Sequence, residues 1–190
     1  MGDTDPGPRT VSADGAVRQS PAPSAGIAVE VVHRSELWRE ALSDDRMLHR
    51  AARAAAAAVA PGLSADCEIA VVLTSDDEIR SLNREWRGRD GPTNVLSFPL
   101  REPGMAEDAA GPLGDVVLAA ETVRREATEM GRTVAQHAAH LVVHGVLHLL
   151  GHDHQLDDEA ERMEALEVRI LETLGVPDPY GAAADATSAW

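Results

Sequence analysis

The sequence predicts an α/β (α+β) fold: a small four-stranded mixed sheet packed with about five helices, with a metal site at the end of a core helix. Three observations predict it. Four short runs rich in β-branched and apolar residues alternate with longer runs whose apolar residues recur at helical spacing. Breakers such as Pro61-Gly62, Pro99, Gly131 and Gly175 separate the runs. At 190 residues and 44% hydrophobic content, the chain is long enough for one buried core with extensions.

Residues 1–26 are rich in Pro, Gly, Ser, Ala and Asp without periodicity and read as a disordered extension. The domain proper spans 27–176, and 177–190 read as a loose C-terminal tail. Within the domain, Gly26–Val32 is the first expected strand, and a helical pattern runs from about Ser35 to Ala60. Cys67–Thr74 alternates like a second strand, with Cys67 as a buried small hydrophobe; a single cysteine forms no intramolecular disulfide and suits a reducing compartment. Ser75-Asp-Asp-Glu78 is a capping box opening a helix to about Trp86.

Asn94–Phe98 is a short third strand closed by Pro99, and 102–112 read as a Gly- and Pro-containing loop. Asp115–Ala119 is the fourth strand, followed by a helix from about Ala120 to Met130. Thr133-Val-Ala-Gln136 is a second capping box and opens a helix to about Leu150. Asp158-Glu-Ala-Glu161 can cap the last helix, which reaches Leu174.

The chemistry concentrates between positions 137 and 154, which hold six of the eight histidines. His144 and His148, four apart, lie one turn apart on one helix face, so both can reach one ion. Gly151 can adopt the left-handed conformation that ends a helix and returns the chain, delivering His154 to the same point. Three imidazoles and an open fourth position are the donor set of a catalytic zinc site, although imidazoles also accept nickel, cobalt or copper. His137 and His140 continue the stripe; His140 and Asp153 are candidates for holding a ligand imidazole by a hydrogen bond, Asp153 equally for capping its own turn. Zinc proteases with this histidine spacing carry a glutamate after the first ligand as general base, whereas this chain has Gly145, which argues against peptide hydrolysis.

The net charge of −15 is unevenly spread. Residues 152–190 carry ten acidic and two basic side chains, whereas residues 79–101 carry Arg80, Arg84, Arg87, Arg89 and Arg101 against Glu85 and Asp90. That basic island suits a local phosphate contact or, equally on charge alone, a solvated helix face. The N-terminus has no basic start followed by an apolar stretch, and no apolar run approaches the roughly 20 residues needed to span a bilayer, so a cytoplasmic location is expected.

Three segments now carry a family resemblance. His144-Gly-Val-Leu-His148-Leu-Leu-Gly-His-Asp-His154 resembles the signature of the YbeY family of bacterial rRNA maturation factors, which are metal-dependent endoribonucleases. Residues 81–99, Ser-Leu-Asn-Arg-Glu-Trp-Arg-Gly-Arg-Asp-Gly-Pro-Thr-Asn-Val-Leu-Ser-Phe-Pro, resemble the second signature, and Leu113-Gly-Asp-Val-Val117 the third, in the family's order. The resemblance implies one zinc held by His144, His148 and His154, with Arg87 facing the metal cleft and needed for cleavage. His152 stands where the family usually has tyrosine, and the N-terminal extension is outside the pattern.

The expected function is therefore a zinc-dependent, single-strand-specific endoribonuclease acting in small-subunit rRNA 3′-end maturation and ribosome quality control. In that reading Arg87 and His144 are catalytic, and Arg84 and Arg89 bind the strand. No general base stands out. Resemblance alone implies rRNA, the small ribosomal subunit, a small-subunit ribosomal protein and the Era GTPase as partners. The alternative expectation is a non-catalytic ribosome-assembly factor with a structural zinc.

Overall fold

The computed structural model describes residues 26–101, 110–152 and 157–181. Ten elements follow in chain order: β1 (Ala28–His33), α1 (Leu37–Ala41), α2 (Arg46–Val59), β2 (Cys67–Thr74), α3 (Asp76–Arg87), β3 (Val95–Pro99), β4 (Gly111–Ala119), α4 (Ala120–Glu129), α5 (Val134–Leu149) and α6 (Asp157–Leu174). The strands form one mixed sheet in the order β1-β2-β4-β3, with β1, β2 and β4 parallel and β3 antiparallel along β4. The disordered extension expected over residues 1–26 lies outside the described residues apart from Gly26. Among the described residues no helix is long and apolar enough to cross a membrane.

Strand alternation sorts the side chains into two layers. Ile69, Val71 and Leu73 of β2 and Val116 and Leu118 of β4 point toward α2, α5 and α6, in a large core that also holds Leu48, Val143 and Leu147. Val72 and Val117 point the other way and meet Ile79 of α3 and Leu96 of β3 in a smaller cluster. Cys67 is fully buried in the larger core. Trp38, also fully buried, ties α1 to the end of β2 by donating from Nε1 to the Thr74 carbonyl at 2.9 Å.

Four expectations need correction. The single helix expected over 35–60 is two, α1 and α2, because Leu42 is extended and Asp44 accepts from the Arg46 amide at 2.9 Å, a local turn that competes with the helix. This raises the helix count to six. β4 begins at Gly111 rather than Asp115, so the loop expected over 102–112 is shorter; its residues 102–109 lie outside the described ones. The start of β4 runs beyond the last β3 partner, Pro99 opposite Gly114, so among the described residues only β2 pairs with Gly111 and Pro112, an edge position where proline is tolerated.

The Ser75 box is half-closed. Ser75 Oγ accepts from the Glu78 amide, but the Glu78 carboxylate goes to Thr74 Oγ1 and to Arg34 instead of back to the cap. Asp158 lies inside the first turn of α6 rather than at its cap, since the helix starts at Asp157. The Thr133 box is complete, with Gln136 N on Thr133 Oγ1 at 3.2 Å and Thr133 N on Gln136 Oε1 at 3.0 Å.

Candidate metal centre

Helix α5 is the innermost helix, packed against α2, α4, α6, β3 and β4. Its approach to the sheet is set by Gly145: a Cβ there would lie 2.5 Å from Val116 Cγ1 and 3.0 Å from Ser97 Oγ. The position that holds the base in zinc proteases therefore faces the sheet here and has no room for any side chain.

With that face against the sheet, the histidine stripe runs along another. The rings of His137, His140, His144 and His148 follow one another with centroid separations of 6.1, 6.4 and 4.6 Å. The last pair closes most tightly, and the Nε2 atoms of His144 and His148 come within 3.1 Å. Two imidazoles bound tetrahedrally to one zinc at about 2.0–2.1 Å would bring their nitrogens to roughly 3.3 Å. The observed separation is close to that value.

The tautomer of His144 is fixed from behind. Its Nδ1 lies 2.8 Å from Oε1 of Glu167, which is only 1% exposed. An ionised carboxylate only accepts, so Nδ1 donates and the Nε2 lone pair is left toward His148. Glu167 Oε2 accepts from His140 Nε2 at 2.9 Å and from the Tyr180 hydroxyl at 2.5 Å. Burial pushes the Glu167 carboxyl up, but the hydrogen bonds from His140, His144 and Tyr180 together outweigh it and hold it at about 2. The same burial, and then the hydrogen bond to Glu167, push the Tyr180 hydroxyl well above its ordinary range. A cavity of about 190 Å³ opens beside this cluster, lined by His144, Met163, Glu167 and Tyr180 among others.

His137 serves the fold. Its Nε2 lies 2.8 Å from Oε2 of Glu126, which also accepts from Asn94 Nδ2 at 2.9 Å, tying α5 to α4 and to the start of β3. Burial lowers its pKa against the pull of Glu126, which favours the neutral ring.

At the helix end Gly151 takes a φ of 87°, with its amide on the His148 carbonyl and the His152 amide on the Leu147 carbonyl. This left-handed turn ends the helix, as the sequence predicts. His154 and Asp153 lie outside the described residues, so the structure brings together two of the three expected ligands, and His152 is described just before the break.

Helix α3, which carries Arg80, Arg84 and Arg87 of the arginine island, packs on the other face of the sheet from α5, whereas Arg101 lies 3.1 Å from Sγ of Cys67 in the larger core. α3 packs on β4 and β3 through Ile79, with Arg84 and Arg87 in its last turn. Arg80 is paired with Asp90 at 2.7 and 3.1 Å, and Arg84 lies 4.0 Å from the same carboxylate. Arg87 and Arg89 are exposed, and no side-chain hydrogen bond or ion pair joins either to a described residue, the histidines included. Trp86 beside them is 66% exposed and meets Phe98 of β3 edge-on.

Glu167 and Tyr180 escaped the sequence reading. Glu167 did leave a signal: it interrupts the apolar stripe Met163, Ile170, Leu171, Leu174 of α6, where a solvated charge would not be expected. The start of the expected loose tail is also placed, since Arg132 Nη2 donates to the Asp178 carbonyl at 2.7 Å and the Tyr180 ring stands edge-on to His140 with centroids 5.7 Å apart.

Residues 35–175 match the family model described as Endoribonuclease YbeY. A Bradyrhizobium protein (strain BTAi1) named endoribonuclease YbeY is 50% identical over 165 residues, covering 85% of this chain and 95% of its own. The protein of that name from Rhodopseudomonas palustris (strain BisA53) is 50% identical over 155 residues, 80% of this chain and 90% of its own. That from Allorhizobium ampelinum is 54% identical over 144 residues, 74% and 84% of the two chains.

Proposed function

The chain belongs to the YbeY endoribonuclease family, and from that premise we propose that it is a zinc-dependent, single-strand-specific endoribonuclease in small-subunit rRNA 3′-end maturation and ribosome quality control. The observation that carries the reading is the meeting of the His144 and His148 Nε2 atoms at 3.1 Å, with the tautomer of His144 set by a buried carboxylate. Together with His154 they would hold one ion and leave a position open. A zinc ion so held supplies Lewis acidity toward a phosphodiester.

The chain's own residues supply the rest. Glu167 holds His144 in the orientation that presents Nε2. Arg87 clamps the scissile phosphate: its guanidinium is planar, always charged and matched to phosphate oxygens, and it is not consumed by a partner among the described residues. Arg84 and Arg89 position the strand, while Arg80 is engaged by Asp90. The proposed partners are rRNA, the small ribosomal subunit with one of its proteins, and the Era GTPase, in the cytoplasm.

The test is cleavage of a small-subunit precursor rRNA fragment by wild type and Arg87→Ala, with bound metal quantified on both. Wild type should cut, and the variant should keep its metal and lose cleavage by about 100-fold or more, the usual cost of one transition-state donor. An Arg87→Ala variant that cuts at the wild-type rate removes the clamp from the mechanism.

A further inference from the structure

We infer that Tyr180, on the segment after α6, is a positioning residue for the metal centre: through Glu167 it sets His144, so that docking of residues 177–181 and metal occupancy are coupled. The inference rests on the metal-centre reading of His144 and His148.

Its basis is the arithmetic of one carboxylate. Glu167 is 1% exposed and presents two oxygens to three donors, two on α5 and one on the segment after α6. Oε1 takes the Nδ1–H of His144. Oε2 takes the Nε2–H of His140 and the hydroxyl of Tyr180. His140 donates to Oε2 from Nε2, since a carboxylate only accepts, and its buried Nδ1 finds no partner among the described residues, so that ring is anchored from one nitrogen. Tyr180 is the second donor to the same oxygen and the one that comes from outside α5. The hydroxyl therefore shares with His140 in setting how the carboxylate is turned, and the carboxylate sets which nitrogen of His144 faces His148.

The geometry also makes the tyrosine separable from the core. Tyr180 is 46% exposed, and it reaches Glu167 from a segment held otherwise by Arg132 on the Asp178 carbonyl. The cavity of about 190 Å³ next to it can admit water, which would take over Oε2 without holding its direction if the hydroxyl were lost. Removing the hydroxyl should therefore leave the fold intact and loosen the imidazole. Partners that orient ligand imidazoles typically contribute 10- to 100-fold in metal affinity.

Tyr180 is the one tyrosine of the chain, which gives the test a clean reporter. Zinc affinity is measured by competition with a chromophoric chelator on wild type, Tyr180→Phe and Glu167→Gln. In parallel, full-length protein carrying 3-fluorotyrosine is titrated with zinc and followed by fluorine NMR. The expected results are a weakening of about tenfold in Tyr180→Phe, with the melting temperature of the metal-free protein unchanged, and a shift of the single fluorine resonance that saturates at the zinc stoichiometry. Glu167→Gln should weaken binding at least as much. Wild-type zinc affinity in Tyr180→Phe, or a fluorine resonance that ignores zinc, overturns the inference while leaving the metal centre standing. A wild-type protein that takes up no zinc overturns both.

Discussion

The two faces of the sheet are built from alternate residues of the same strands, yet one is closed and the other open. On the α5 side, Val116 sits under Gly145, Leu147 and Leu118 are fully buried, and carboxylates hold the histidine rings: Glu126 holds His137, and Glu167 holds His140 and His144. On the α3 side the buried cluster is small, and a groove of about 570 Å³ runs past Val72, Leu82, Trp86, Phe98 and Leu100. Its arginines meet carboxylates that are themselves solvent-exposed, as in Arg80 with Asp90. The difference is one of freedom: a layer whose rings share the buried Glu167 carboxylate is packed to allow one arrangement, whereas solvent-exposed ion pairs leave the α3 face free to rearrange.

Steric substitutions should break the closed side first and most. Gly114 lies where β4 leaves β3, with φ at 144°, and a Cβ there would sit 2.3 Å from the Phe98 carbonyl oxygen. Gly114→Ala should cost roughly 3 kcal/mol or more from strain and overlap combined, read as a loss of urea midpoint at constant slope. Gly145→Ala should cost about 1–2 kcal/mol, since overlap with Val116 is partly offset by the better helix propensity of alanine.

Matched truncations sharpen the contrast. Leu147→Ala, fully buried in the α5 layer, should cost about 3 kcal/mol, while Leu82→Ala on the half-covered α3 face should cost roughly 1 kcal/mol in the same melts. Equal costs would mean that the groove is better packed than its shape suggests. Arg87→Ala, exposed at the end of α3, should change stability by less than about 0.5 kcal/mol whatever it does to cleavage.

The smallest effect expected is on the acid limb of stability. Glu78 has its pKa lowered chiefly by the Thr74 hydroxyl, which outweighs the opposing push from burial, and further by Arg34. A carboxyl whose pKa is lower in the folded state contributes stability above its unfolded value, and loses it as pH falls below that value toward the folded one. Glu78→Gln should therefore narrow the gap between melting temperatures at neutral pH and at pH below about 4, and leave the alkaline side unchanged.

What was legible in the sequence follows from how local its cause is. β2 was read with its observed ends and α5 nearly so, because alternation and a complete capping box are written in neighbouring residues. The break between α1 and α2 was missed because Asp44 and Asp45 read as tolerable helix residues until one of them bonds its own backbone. The first residues of β4 were missed because Gly111-Pro112 punctuates loops, and only the sheet register shows that this stretch pairs with β2. At the site, His144 and His148 were legible from their four-residue spacing. Glu167 and Tyr180, 23 residues beyond His144 and 13 beyond Glu167, meet them only through the packing of α6 on α5.

The central claim is that an ion on the α5 histidines is needed to cut RNA. The most direct measurement is cleavage of a precursor rRNA fragment by wild type and His148→Ala, each before chelation, after it, and after zinc is returned, with bound metal quantified throughout. The account predicts that wild type loses cleavage on chelation and regains it with zinc, and that His148→Ala, folded but depleted of metal, cuts in neither state. Cleavage that survives both complete metal removal and His148→Ala would contradict it.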